Sequence, residues 1–265
     1  MMILVRLLLP GALVLMLGIT SYADEAKPDH IFLLIGQSNM AGRAALEPED
    51  KVEIDGCLLW NGQGWEKAKP GFNRYSTHRK EKFVQGMNCG PSFVEAYRKA
   101  NPGITVGIIC WARGGTSIEQ WHPDSSDAKA GDLYNEAVKQ TREALKLGGH
   151  LKGILWHQGE SNSRRSSKYG DLLVAHVERL RKDFGDAQLP FVFGQIGRWK
   201  DTNDKFNQQI VAMPETIPYS ACVSSKGLTD FDSSHFDRES QIEFGKRYAA
   251  AVLELLAKQS VEQAP

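Results

Sequence analysis

Apolar residues recur along this chain in two alternating patterns. Strand-like, mainly apolar runs occupy 31–35, 57–60, 104–110, 153–157, 191–196 and 219–223, and short runs of this kind suit strands buried on both faces. Between most of them, apolar residues return at three- and four-residue spacing over 92–99, 133–147, 169–184, 206–213 and 239–256, as in Leu172, Leu173, His176 and Leu180. Strands alternating with helices of about ten residues or more predict an α/β fold, a three-layer α/β/α sandwich around a central, mostly parallel sheet. Reactive groups in such sheets gather at the carboxyl ends of the strands. The stretch 61–90 shows neither period, is rich in Gly, Lys and Arg, and is expected to form a long surface loop.

The first 23 residues follow a different pattern. They carry one charge, Arg6, then a mainly apolar stretch at 7–19 interrupted by Pro10 and Gly11, and end in Ser21-Tyr22-Ala23, the small-x-small pattern of a signal-peptidase site. The apolar stretch is shorter than the roughly 20 residues needed to span a bilayer. Residues 1–23 are therefore expected to be a cleaved export signal and 24–265 a single domain, secreted or periplasmic, with no membrane partner once the signal is removed. The whole chain balances 32 Lys and Arg against 32 Asp and Glu without a basic stripe, which argues against nucleic acid as a partner. Cys57, Cys89, Cys110 and Cys222 have neither C-x-x-C nor zinc-ligand spacing, so neither a metal nor another cofactor is expected. Two disulfides and buried free thiols both fit these four positions. Oligomeric state is left open.

Candidate chemistry sits where the runs end. The apolar run 31–35 passes through Gly36 and Gln37 into Ser38-Asn39-Met40, which reads as a nucleophile on a strand-to-helix turn, the alternative being an ordinary helix cap. Asp232-Ser-Ser-His235 places a carboxylate three residues before an imidazole at the start of the last predicted helix, where the acid fixes the tautomer and supports the imidazolium that forms. Asp232 also reads as a turn residue or as part of a solvated cluster with Asp230 and Asp237. Arg113-Gly114-Gly115 follows the 104–110 run, and paired glycines let a backbone amide approach a developing oxyanion without a Cβ in the way. His157-Gln158-Gly159-Glu160 follows the 153–157 run. A Gln158 amide there suits oxyanion donation, and Glu160 a second acid that orients its neighbours.

Taken in order, Gly36-Gln-Ser38-Asn-Met, Gly114-Gly115-Thr-Ser, His157-Gln158-Gly159-Glu160 and Asp232-x-x-His235 resemble the SGNH hydrolases, and most closely their sialate O-acetylesterase branch, which includes the acetylxylan esterases of carbohydrate esterase family 6. The resemblance implies a flavodoxin-like sandwich and a serine esterase. It implies Ser38 as nucleophile, His235 as base and Asp232 as its partner, with oxyanion donors at Ser38, Gly115 (or Gly114) and Gln158. Glu160 matches the motif's glutamate, a helper acid. The Gly-x-Ser-x-Gly nucleophile elbow of other esterases is absent.

The implied activity is acetyl removal from an acetylated carbohydrate. Asn39, Arg113, Trp65 and Trp121 are candidates for contact with substrate, with Tyr75 and Trp199 in or beside the same loops, the equal alternative for each aromatic being that it covers an edge of the core; Arg74, His78 and Arg79 add polar contacts in the long loop or solvate it. Balanced charge favours an uncharged xylan-type polysaccharide over a sialic acid, although a local arginine suits a carboxylate. A lipid or long-acyl esterase on the same scaffold, and a non-catalytic carbohydrate-binding protein, are the competing readings.

Overall fold

The chain's first strand, β1 (His30–Gly36), is flanked by other strands on both edges and buried on both faces. In a computed structural model describing residues 27–77, 86–125 and 132–262, Ile31, Leu33 and Ile35 enter one apolar core, while Phe32 and Leu34 enter the other. Alternate side chains of a strand point to opposite faces, so an unbroken apolar run is what two cores require. The expected export signal lies outside the described residues.

The remaining strands are β2 (Cys57–Trp60), β3 (Trp65–Lys67), β4 (Val106–Ala112), β5 (His150–His157), β6 (Phe191–Gly194) and β7 (Ser220–Val223), in the spatial order β3-β2-β4-β1-β5-β6-β7. All neighbours are parallel except β2 and β3. A four-residue turn of helix, α1 (Ser38–Ala41), follows β1 directly. Helices α2 (Gly90–Ala100) and α6 (Arg238–Glu262) cover one face through Phe93, Tyr97, Phe244 and Tyr248. Helices α3 (Leu133–Lys146), α4 (Tyr169–Phe184) and α5 (Asp201–Val211) cover the other through Tyr134, Val138, Leu173, Val177 and Phe206. The expected three-layer α/β/α architecture is the one observed.

The stretch 61–90 differs from its expectation. Asn61 Oδ1 accepts the backbone N–H groups of Gln63 and Gly64, closing a tight turn that returns the chain along β2 as the antiparallel edge strand β3. Farther on, the Asn73 side chain is buried and pairs with the Ala112 backbone in both directions, accepting from its N–H at 2.8 Å and donating to its carbonyl at 3.0 Å. That segment thus acts as a side-chain extension of the sheet at the end of β4. His78 and Arg79 lie outside the described residues. The four cysteines are free, and burial raises their thiols, those of Cys89 and Cys222 to about 12.

One core side chain carries a pH cost. His176 of α4 is enclosed by Trp156, Tyr134, Trp121 and Phe191, its Nε2 has no hydrogen-bond partner, and burial depresses its pKa to about 3. The unfolded chain binds a proton at this imidazole below its ordinary pKa while the folded chain does not, so stability is lost as pH falls from about 6.5 toward 3. His176→Phe is expected to remove that slope. Between pH 6 and 5 the unfolding free energy of the wild type, measured by urea titration, should fall about 1.2 kcal/mol more than that of the variant; parallel pH profiles would contradict the assignment.

Candidate active site

Three strand ends converge on Ser38. Gly36 closes β1 with φ 137, and a Cβ there would overlap the His157 carbonyl at the end of β5, so glycine alone permits the approach. The chain then turns at Gln37, whose N–H donates to His157 O at 2.9 Å, and Ser38 opens α1. On the other side Arg113 N donates to Gly36 O at 3.0 Å, which brings the Gly114-Gly115 turn beside the serine. A Cβ on Gly114 would stand 3.5 Å from Ser38 Cβ and would overlap the Arg43 guanidinium. Gly115 is left-handed, with φ 75, and open on its Cβ side.

The loop between β7 and α6 supplies the base. His235 Nε2 lies 3.0 Å from Ser38 Oγ, and its Nδ1 lies 2.7 Å from Asp232 Oδ2. The other Asp232 oxygen accepts the backbone N–H groups of Ser234 (3.0 Å) and His235 (2.8 Å). One carboxylate thus orients both the ring and the backbone that carries it. Burial raises the Asp232 carboxyl, but the hydrogen bonds from the His235 ring and from these two amides outweigh it and hold it below the usual carboxylate range. Asp230 accepts from Ser233 N, with Ser233 in the left-handed region at φ 61, while Asp237 caps α6 by accepting from Ser240 N. His235 precedes α6 by three residues rather than starting it.

Serine, imidazole and carboxylate are in sequence at hydrogen-bond distance, an arrangement able to carry out nucleophilic acyl transfer. The Ser38 N–H, first of its helical turn, has no intrahelical acceptor. Among the described residues the amides of Gly114 and Gly115 bond to no backbone carbonyl. Also among the described residues, no group of three or more His, Cys, Asp or Glu side chains is placed to hold a metal ion, and no helix is long and apolar enough to cross a membrane.

A family model described as "Carbohydrate esterase, sialic acid-specific acetylesterase" matches residues 28–254. The chain belongs to this family. It is 30% identical over 247 residues to a probable carbohydrate esterase of Arabidopsis thaliana, covering 85% of this chain and 91% of the relative. An Arabidopsis thaliana X-ray structure superposes with a TM-score of 0.75 at 28% identity, covering 86% of this chain and 98% of that one. NanS (TM-score 0.66, 14% identity, 88% of this chain and 99% of that one) and a carbohydrate acetylesterase from Xanthomonas citri (0.65, 20%, 86% and 57%) share the fold. Membership of this esterase family makes the chain an ester hydrolase of the SGNH type.

Several expected contacts are corrected. The Gln158 amide does not face the serine: Nε2 donates to Gln37 Oε1 (3.1 Å), Thr116 O (3.0 Å) and Asn162 Oδ1 (2.8 Å), and the side chain is fully buried. Two N–H bonds shared among three acceptors leave none for an oxyanion, so Gln158 ties together the loops after β1, β4 and β5. Trp121 is buried in the core against Trp156, with Nε1 on Thr116 Oγ1. Trp65 opens β3, packs on Trp60 and lies over Gly107 near the start of β4. Asn39 is 2% exposed, its side chain engaged by Glu160, the Ser234 carbonyl and the Phe236 N–H. Arg113 stands beside the serine turn through its backbone. Glu160 contacts Asn39 and His157; among the described residues it has no bond to His235.

The site also contains residues that the spacing did not single out. Phe231, 53% exposed, stacks on His235 with ring centroids 6.0 Å apart at 24°. Its signal was legible as a lone aromatic between two aspartates just before the Asp-x-x-His motif. Beside Ser234 a cleft of about 330 Å³ is lined by Glu160, Arg164, Trp199 and Lys200 among others, and Lys200 Nζ reaches Ser234 Oγ at 3.3 Å. Asp232→Asn is expected to lower kcat by about 10²–10⁴-fold, with little change in KM, in a p-nitrophenyl acetate assay. A variant as active as wild type would remove Asp232 from the site.

Proposed function

We propose that this chain is an exported serine O-acetylesterase that releases acetate from sugar hydroxyls of a xylan-type polysaccharide. The reading rests on the 3.0 Å contact between Ser38 Oγ and His235 Nε2, joining residues from opposite ends of the chain. His235 takes the Ser38 proton as Oγ attacks the acetyl carbonyl. The oxyanion accepts from the Ser38 amide and from one amide of the Gly114-Gly115 turn. His235 then passes its proton to the sugar oxygen, which leaves as the alcohol. Water, deprotonated by the same imidazole, attacks the acetyl-enzyme and returns acetate and Ser38. Asp232 holds the tautomer and stabilises the imidazolium throughout.

The open ring face of Phe231 beside the base and the polar lining of the adjacent cleft suit a sugar better than a long acyl chain. One observation favours a second substrate, an O-acetylated sialoside: Arg164 and Lys200 both line that cleft, and two cations suit a sugar carboxylate. Export rests on the pattern of residues 1–23.

Purified protein starting at residue 24 is expected to release acetate from acetylated xylan and to hydrolyse p-nitrophenyl acetate well above the palmitate ester. Ser38→Ala should lower these rates by at least about 10⁴-fold. Acetate from an O-acetylated sialoside alone would select the second substrate, and palmitate as the preferred ester would contradict both.

A further inference from the structure

The residue after the nucleophile is the one that holds the base. Asn39 Oδ1 accepts the N–H of Phe236 at 3.1 Å, and its Nδ2 stands 3.4 Å from the carbonyl of Ser234. These are the two residues flanking His235, so a single amide grips the backbone on both sides of the imidazole. An amide has two ends of similar shape, and only one orientation serves here, with oxygen toward Phe236 N and nitrogen toward Ser234 O. The choice is made by Glu160, whose Oε1 accepts from Asn39 Nδ2 at 2.5 Å. A carboxylate has no hydrogen to give and rejects the flipped amide.

Glu160 is itself held. Its Oε1 lies 3.4 Å from His157 Nε2, at ion-pair distance but without hydrogen-bond geometry, and His157 Nδ1 pairs with the Tyr248 hydroxyl, which donates to Trp156 O. Gln241 of α6 adds a bond to the Asn39 carbonyl at 3.2 Å. Hydrogen bonds therefore run from α6 through Gln241 and Asn39 to the base loop, with Glu160 and His157 in contact beside them.

Building on the esterase reading above, we infer that Asn39 and Glu160 are a positioning clamp that sets the distance between His235 and Ser38, Glu160 acting through the Asn39 amide and not as a second acid on the imidazole. The clamp requires that the two residues act as one unit. It also requires that donor and acceptor be exchangeable between them.

The test is a double-mutant cycle with Asn39→Ala, Glu160→Ala and the pair, together with Asn39→Asp in the presence and absence of Glu160→Gln, reading kcat and KM separately. Each alanine variant should lose about 10–100-fold in kcat with KM within about threefold, since a misplaced base slows chemistry more than binding. The double variant should be no worse than the weaker single. Asn39→Asp sets two carboxylates against each other, and adding Glu160→Gln, which supplies a donor, should restore at least about tenfold. Multiplicative losses in the double variant, a rise in KM that carries the defect, or failure of the exchange would overturn the clamp. If Ser38→Ala kept wild-type activity, the esterase reading itself would fall; if Ser38→Ala is inactive while the cycle is multiplicative, only the clamp falls.

Discussion

The site depends on the packing of the end of β1 against the end of β5. Gly36 meets the His157 carbonyl with no room for a side chain, and the next amide, Gln37 N, bonds that same carbonyl. The chain has nowhere to continue in the sheet and turns out of it, leaving Ser38 at the mouth between β4 and β5. In a doubly wound sheet this is where connections leave in opposite directions, and the crevice between them is open to a ligand. Because β1 is the central strand with two cores against it, the nucleophile sits on one of the most constrained segments of the fold.

The other groups arrive on loops, and buried polar side chains give those loops their rigidity. Gln158 joins the turns after β1, β4 and β5, Asn73 completes the end of β4, and Asn39 connects the serine turn to the loop before α6. Asn73 and Asn39 each satisfy two backbone groups and Gln158 the Thr116 carbonyl, groups that would otherwise be buried without partners at about 1–3 kcal/mol each. Asn73 and Asn39 suit this work because an amide offers donor and acceptor at once. The cost is ambiguity of orientation, removed at Asn39 by the carboxylate of Glu160.

Much of this was legible in the sequence. The parallel strands stood out because burial on both faces demands unbroken apolar runs, and the Ser38, Asp232 and His235 motifs fell at strand ends and the loop where chemistry collects. Edge strand β3 was hidden because Trp65-Glu-Lys67 is short and half exposed, although Asn61-Gly62 between two tryptophans is a hairpin signal. Gln158 and Trp121 were misassigned for a common physical reason. A glutamine or tryptophan beside a motif has the same chemistry whether it faces substrate or its own neighbours, and only tertiary burial separates the two. Phe231 shows the converse, an exposed aromatic whose value comes from the histidine four residues on.

The central claim is that Ser38 carries the acetyl group between sugar and water. It is tested most directly by quenching the enzyme with acid during turnover of an acetyl ester and mapping the trapped adduct by peptide mass spectrometry. The account predicts one added acetyl group on the peptide containing Ser38, at the serine oxygen, decaying as substrate is exhausted. An acetyl group on another residue, or steady turnover with no acetyl-enzyme under conditions that make deacylation slow, would contradict it.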